Sequence, residues 1–426
     1  MTRAMNKCET YDALETRDPE AREAALLQAL PAHIAHAKRS TAAFAERLAT
    51  VDAAAITSRR ALATLPVTRK HELLQRQQAM RSEDPFGGFS AIGWRGLRAP
   101  GRALRVFQSP GPIYEPEGRA ADYWRMGRAI FAAGFREGEL AHVSFSYHLT
   151  PAGAMMESGA HAVGCTTFPG GIGNTELQLQ AIAELRPHGY IGTPSFLKIL
   201  VEKAAENGTA IASMSKASVG GEAFPPALRD WLRSRGIEAY QSYGTADAGL
   251  IAYETAPREG LVVDEGVIVE IVRPGTNEPL PEGEVGELVV TVLNPDYPLV
   301  RFGTGDLSAV LPGRCPSGRT NTRIRGWLGR ADQTAKVRGM FVHPGQVAEV
   351  ARRHAQVARA RLVIEGEMAN DRMTLRVEAG ERPPGLADAL AQSLRDVTKL
   401  RGEIDLCAPG SLPNDGKVIE DLRKLG

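Results

Sequence analysis

SerTyrGlyThrAlaAsp at 242–247 stands where the pattern of this chain changes. Upstream of it, short β-rich runs alternate with helical stretches. The run 142–147 precedes an Ala/Gly-rich helical segment at 151–162, and 166–168 precedes a helical 175–185. Residues 190–192 lead into a helical 197–206, 217–219 into 225–235, and 239–242 ends at the quoted stretch. Such alternation predicts a largely parallel sheet with crossover helices. Downstream of Glu254 the runs 261–263, 267–272, 287–293 and 308–311 alternate in the β fashion, with a Pro/Gly-rich connection at 274–284. From about residue 331 the chain mixes helix (344–354, 386–399) with strand (360–365, 373–378), which reads as a small α+β domain. Toward the N-terminus, 21–48 carries Ala and Leu at helical spacing, 82–118 is polar and rich in Gly and Pro, and 119–135 reads as helical.

The bulk numbers exclude several classes. A chain of 426 residues holds two or three domains and a large core. Hydrophobic content of 43% and charged content of 24% are those of a globular protein. A net charge of +1 gives no reason to expect nucleic acid or an acidic membrane surface as partner. Cys8, Cys165, Cys315 and Cys407 are scattered without CxxC spacing, which predicts reduced thiols rather than a zinc site. No apolar run approaches the about 20 residues of a spanning helix, and the N-terminus lacks the pattern of a secretory signal. The expected compartment is the cytoplasm.

Several motifs carry chemistry, each with a plainer alternative. ValGlyGlyGluAlaPhe (219–224) links a strand to a helix with Pro225 in its first turn; its glycines admit a flat ring, or only a tight turn. At 242–249, Tyr243 is placed to stack on a base, Gly244 to allow close approach, Thr245 to meet a phosphate oxygen and Asp247 to hold Mg²⁺. Asp306, in ThrGlyAsp, is a carboxylate that can accept both ribose hydroxyls, or an ordinary turn aspartate. Arg330 is a ribose or phosphate contact, or a surface arginine. Lys417, in the turn ProAsnAspGlyLys (413–417), suits a developing negative charge, or is a solvated lysine.

In order and spacing these motifs resemble the core of the adenylate-forming enzymes. The resemblance narrows to the phenylacetate–CoA ligase branch through LeuProValThrArgLysHisGluLeu (65–73), PheProGlyGlyIleGlyAsnThrGluLeuGln (168–178), GlyThrProSerPhe (192–196), ProLeuValArgPheGlyThrGlyAspLeu (298–307), CysProSerGlyArgThr (315–320) and ArgGlyMetPheValHisProGlyGlnValAlaGlu (338–349). It covers nearly the whole chain. It implies an α/β fold: a large N-terminal AMP-binding domain over 1–331, with mixed parallel sheets, helices and a β-rich subdomain. A small mobile α+β domain over 332–426 would turn about a hinge near Asp332. The implied reaction joins a small carboxylic acid to coenzyme A. ATP and Mg²⁺ first give an acyl-adenylate, and CoA then attacks it. Gly221, Glu222, Tyr243, Gly244, Asp306 and Arg330 would hold AMP. Thr245 and Asp247 would face phosphate and Mg²⁺, Lys417 would serve adenylation, and Lys336, Arg338 and Gly339 would present the small domain's second face. Tyr147 matches a tyrosine lining an aryl pocket. No nucleic-acid or membrane partner is implied, and a homodimer is left open.

The chain departs from the branch at the phosphate end. SerProGlyProIleTyrGluPro (109–116) stands where a Gly/Thr-rich loop with a lysine would wrap the triphosphate. Pro110 and Pro112 remove two donors, both threonines are gone, and Glu115 occupies the lysine position. Ala246 and Asp247 replace the usual Thr-Glu. Two alternatives therefore stand beside ligation. One is a paralogue that binds an adenylate or CoA ester without using ATP. The other is an adenylyltransferase that stops before CoA.

Overall fold

A computed structural model of the chain describes residues 9–95, 101–274, 276–331, 335–338, 340–342, 344–367, 370–413 and 417–423. The chain divides into two compact units, Met1–Gly221 with Leu232–Leu328, and Glu222–Trp231 with Gly329–Gly426. Asp332 and Gly339 lie outside the described residues. No described helix is long and apolar enough to cross a membrane.

The larger unit begins with helix α1 (Pro19–Ser40). Asp18 caps it by accepting from the Ala21 amide, and Pro19 sits in the first turn, where its missing N–H has no cost. Leu26, Leu30, Ile34 and Ala37 form its buried stripe. The single helix read over 21–48 is broken at Thr41, whose hydroxyl caps a second helix, Ala42–Arg47. The helix read over 119–135 shrinks to Gly127–Ala132. Asp122 and Arg125 adopt φ of 47° and 63°, because long-range partners claim the segment. Arg125 donates to Asp264 Oδ1 at 2.8 Å and to the Ala248 carbonyl at 2.7 Å.

The polar zone 82–118, read as a loop around Ser109–Pro116, contains a hairpin instead. Strands β1 (Arg105–Ser109) and β2 (Ile113–Glu117) pair antiparallel, with Ser109 opposite Ile113. Pro110 and Pro112 lie in the turn itself, between the paired strands, while Pro116 sits within β2 opposite Val106.

Strands β3 (Leu140–Ser144), β4 (Thr166–Pro169), β5 (Gly189–Gly192), β6 (Lys216–Val219) and β7 (Glu238–Thr245) pair parallel in the order β4-β3-β5-β6-β7. Helices α3 (Ala152–Ala162), α4 (Thr175–Leu185) and α5 (Pro194–Asn207) cross between them, α2 being Lys70–Met80. Beyond β7 the sheet turns antiparallel through β8 (Gly249–Glu254) and β9 (Leu261–Val263). In a second sheet, β10 (Val267–Val272), β11 (Gly286–Val292) and β12 (Phe302–Ser308) pair antiparallel, and the two-residue strand Thr68–Arg69 adds parallel to β12. β8, β10 and β11 are buried along their whole length, on both faces rather than on the one face that the alternating reading of 267–272 and 287–293 implies.

Arg301 pins these parts together. Its guanidinium forks onto Glu270 at 2.9 and 3.0 Å and donates to the carbonyls of Ala63, Leu65 and Asn277. Thr68 N–H donates to the Arg301 carbonyl at 2.8 Å. The start of α2 is thereby fixed beside β12.

In the smaller unit, Glu403–Cys407, Arg372–Ala379, Val357–Glu365 and Ile419–Asp421 form a sheet in that order. Helices Pro344–Arg352 and Leu386–Thr398 share its core, which includes Leu362, Leu375, Leu390 and Leu394.

Candidate functional site

The carboxyl ends of parallel strands are where open α/β sheets place ligands, especially where strand order or direction changes. Here β7 is that boundary, and its last residues are Ser242, Tyr243, Gly244 and Thr245. Gly244 has a local reason to be glycine: a Cβ there would lie 2.4 Å from the Gly249 carbonyl oxygen on β8. Thr245 Oγ1 accepts from the Ala248 amide at 3.0 Å, which shapes the turn into β8.

Tyr243 is buried, and its hydroxyl donates to Asp306 Oδ2 at 2.8 Å. Asp306 lies within β12 rather than after it, and its other oxygen accepts from Trp327 Nε1 at 3.0 Å. Tyr243 and Asp306, 63 residues apart in the chain, are thus brought together. Trp327 was not foreseen; its position three residues before Arg330 was the only signal. A carboxylate oxygen can accept more than one hydrogen bond, which is the chemistry a ribose diol needs.

At the other end of the turn, Asp247 is buried with no exposed side-chain surface. Lys70, the first residue of α2, donates to Asp247 Oδ2 at 2.8 Å. Asp247 Oδ1 and the Tyr297 hydroxyl are buried without hydrogen-bond partners among the described residues. The carboxylate to which the sequence assigns Mg²⁺ thus already accepts from an ammonium through Oδ2, while Oδ1 has no partner among the described residues.

Glu115 on β2 is 1% exposed and joins the same neighbourhood. Its carboxyl folds back onto its own hairpin: Ser109 N–H donates to Oε2 at 3.3 Å and Ser109 Oγ to Oε1. Burial, and then the Asp247 charge, push its pKa well above the carboxylate range, against Lys70 and the Ser109 bonds. Burial, then Asp247 and Glu115, likewise push the Tyr297 phenol up.

Tyr147 follows β3. Its ring lies on Gly153 of α3, where a Cβ would come within 2.8 Å. Its hydroxyl is buried without a partner among the described residues, and burial with the Glu157 charge raises its pKa. A further network was missed: Gln178 of α4 is buried and donates to the Gly171 and Gly173 carbonyls at 3.1 and 2.7 Å. Its oxygen lies 2.7 Å from His142 Nε2 and accepts from Ser144 Oγ at 2.8 Å. Gln178 thus ties the glycine loop after β4 to the end of β3.

Gly221, with φ of 79°, closes the turn after β6. Glu222, Arg330, Lys336, Arg338 and Lys417 belong to the smaller unit. Arg338 donates to the Asp371 carbonyl at 2.9 Å, and Lys417 is exposed just before Ile419–Asp421. The Lys336 side chain, Gly339 and residues 414–416 of the Lys417 turn lie outside the described residues.

Residues 140–292 match the family model of the AMP-binding enzymes. Phenylacetate-coenzyme A ligase of Thermus thermophilus is 31% identical over 335 residues, covering 70% of this chain and 75% of that protein. Phenylacetate-coenzyme A ligase of Pseudomonas putida is 30% identical over 355 residues, covering 79% and 77%. The fold matches a crystal structure of 2-hydroxyisobutyryl-CoA ligase with 2-HIB-AMP and CoA: TM-score 0.82, 22% identity, 99% of this chain and 96% of that one. With the Tyr243–Asp306 pair at its switch point and this likeness over most of its length, the chain belongs to the phenylacetate-coenzyme A ligase family.

Proposed function

We propose that the chain makes an acyl-CoA thioester by way of an acyl-adenylate, with an aryl acid as the acyl donor. The observation that carries this is the Tyr243–Asp306–Trp327 cluster at the end of the parallel sheet. It offers an oriented carboxylate for ribose hydroxyls beside a turn with a hydroxyl, Thr245, for the α-phosphate. Gly221, Glu222, Gly244 and Arg330 complete the AMP contacts in this reading. Tyr147, its ring against Gly153 and its hydroxyl buried, lines the aryl pocket in this reading. Lys417 supplies the positive charge for adenylation, and Lys336, Arg338 and Gly339 serve the CoA step. Attack by the CoA thiolate on the acyl carbon breaks the acyl–phosphate bond and releases AMP. The Ser109–Glu115 hairpin favours a second reading, in which the chain binds an adenylate without ATP-dependent activation.

The test is a panel of aryl acids and synthetic aryl-adenylates, with and without CoA, followed for pyrophosphate, AMP and thioester. Thioester from at least one aryl-adenylate and CoA is the expected result. AMP without thioester would remove the CoA step, and turnover of aliphatic adenylates alone would remove the aryl assignment.

A further inference from the structure

Resting on the thioester-forming reading, we propose that the β1–β2 hairpin closes the phosphate end of the nucleotide site, so that the chain takes a preformed acyl-adenylate and refuses ATP. Four observations converge on this. A phosphate cradle needs unspent donors, and here both donors of Ser109 are spent on Glu115. Pro110 and Pro112 have no N–H, which leaves Gly111 as the one amide at the tip of the turn. Position 115 offers no cation: its carboxyl is buried on its own hairpin, within electrostatic reach of Asp247 and Lys70. The nearby ammonium, on Lys70, is already held by Asp247 at 2.8 Å. Glu115 thus acts as a built-in acceptor that takes the bonds a phosphate would take. The adenosine end keeps its equipment in Tyr243, Asp306 and Trp327. A nucleoside monophosphate ester therefore fits, and the two added phosphates of ATP meet a closed hairpin.

The chemistry that remains balances without ATP. The CoA sulfur, having lost its proton to solvent, forms the C–S bond. The acyl C–O bond breaks, and its electron pair leaves with AMP. The substrate must then come from a separate ATP-dependent carboxylate adenylation, which releases the pyrophosphate.

Calorimetry with AMP and with ATP, with and without Mg²⁺, tests the closure. Wild type should bind AMP at least about tenfold more tightly than ATP, the consequence of lost charge-assisted bonds to the outer phosphates. Glu115→Gln keeps an acceptor for Ser109 and should keep that ratio. Glu115→Ala frees the donors, and Glu115→Lys also adds a cation. Both should move the ratio toward ATP, Glu115→Lys most at low salt. ATP bound as tightly as AMP by wild type, or pyrophosphate released from ATP and an acid as fast as thioester forms from the adenylate, would overturn the proposal. The wild-type ratio decides even where a variant does not fold. A chain that makes no thioester from any synthetic adenylate but still prefers AMP would sink the thioester reading and leave the closed hairpin standing.

Discussion

Asp306 concentrates the residue-scale argument. Its two oxygens are oriented by different groups, the Tyr243 hydroxyl and the Trp327 indole, so it stands fixed before a ligand arrives. Asp306→Ala is expected to weaken AMP binding by about 1.5–3 kcal/mol, the range for hydrogen bonds to a charged group. Calorimetry on the folded variant checks this, and unchanged affinity would reduce the residue to a strand-packing role. The sequence made Asp306 and Tyr243 legible because each sits in a short motif of unusual order. It did not reveal Lys70 on Asp247, since 177 residues separate them and neither motif implies the other. The motif offers Gly244 as room for a ligand, while its tightest neighbour is the Gly249 carbonyl. The same residue type answers both needs, and the letter alone does not separate them.

Among the elements, α1 carries a consequence for acid stability. His33 lies beside its buried stripe, with Nε2 buried and unpartnered among the described residues. Burial, and then the neighbouring His36, hold its pKa down at about 4, below the ordinary 6.5. Above pH 6.5 the ring is neutral folded or unfolded, and the stability is fully present. As pH falls from 6.5 to about 4 the unfolded chain binds a proton that the folded chain refuses, and stability is lost. The loss should reach roughly 3 kcal/mol at pH 4, at 1.36 kcal/mol per pKa unit. Urea unfolding from pH 7 to pH 4 should show a shallower decline in His33→Gln; an unchanged slope would place the acid sensitivity elsewhere. The strands β10 and β11 were legible because both are rich in β-branched residues and bounded by turn residues. The hairpin at 105–117 was not, because the Pro110-Gly111-Pro112 of its turn reads as an open loop. The helix over 119–135 failed for a related reason: Asp264 and two β8-region carbonyls outcompete local propensity at Arg125.

For the whole molecule, Lys417 offers a test that separates the two half-reactions. The lysine lies in the smaller unit, and Tyr243, Asp306 and Asp247 in the larger. Lys417→Ala should lower whatever pyrophosphate-forming rate the wild type shows by about 10²–10³, the effect of removing one transition-state donor. Thioester formation from a synthetic adenylate should be nearly unchanged. Equal losses in both steps would take adenylation away from Lys417.

The Ser109–Glu115 closure has one more consequence, for folding rather than for ligands. A loop built to hold phosphate keeps backbone donors unsatisfied until its ligand comes, and such groups weaken the empty protein. Here the hairpin is satisfied without a ligand, by a short antiparallel ladder, an internal acceptor and the side chains of Gln77 and Arg81. The region is therefore ordered without a nucleotide and has little to gain in thermal stability from one. Opening it by removing Glu115 sets two properties in opposition, since the change that creates a phosphate cradle also removes the acceptor that keeps the hairpin folded.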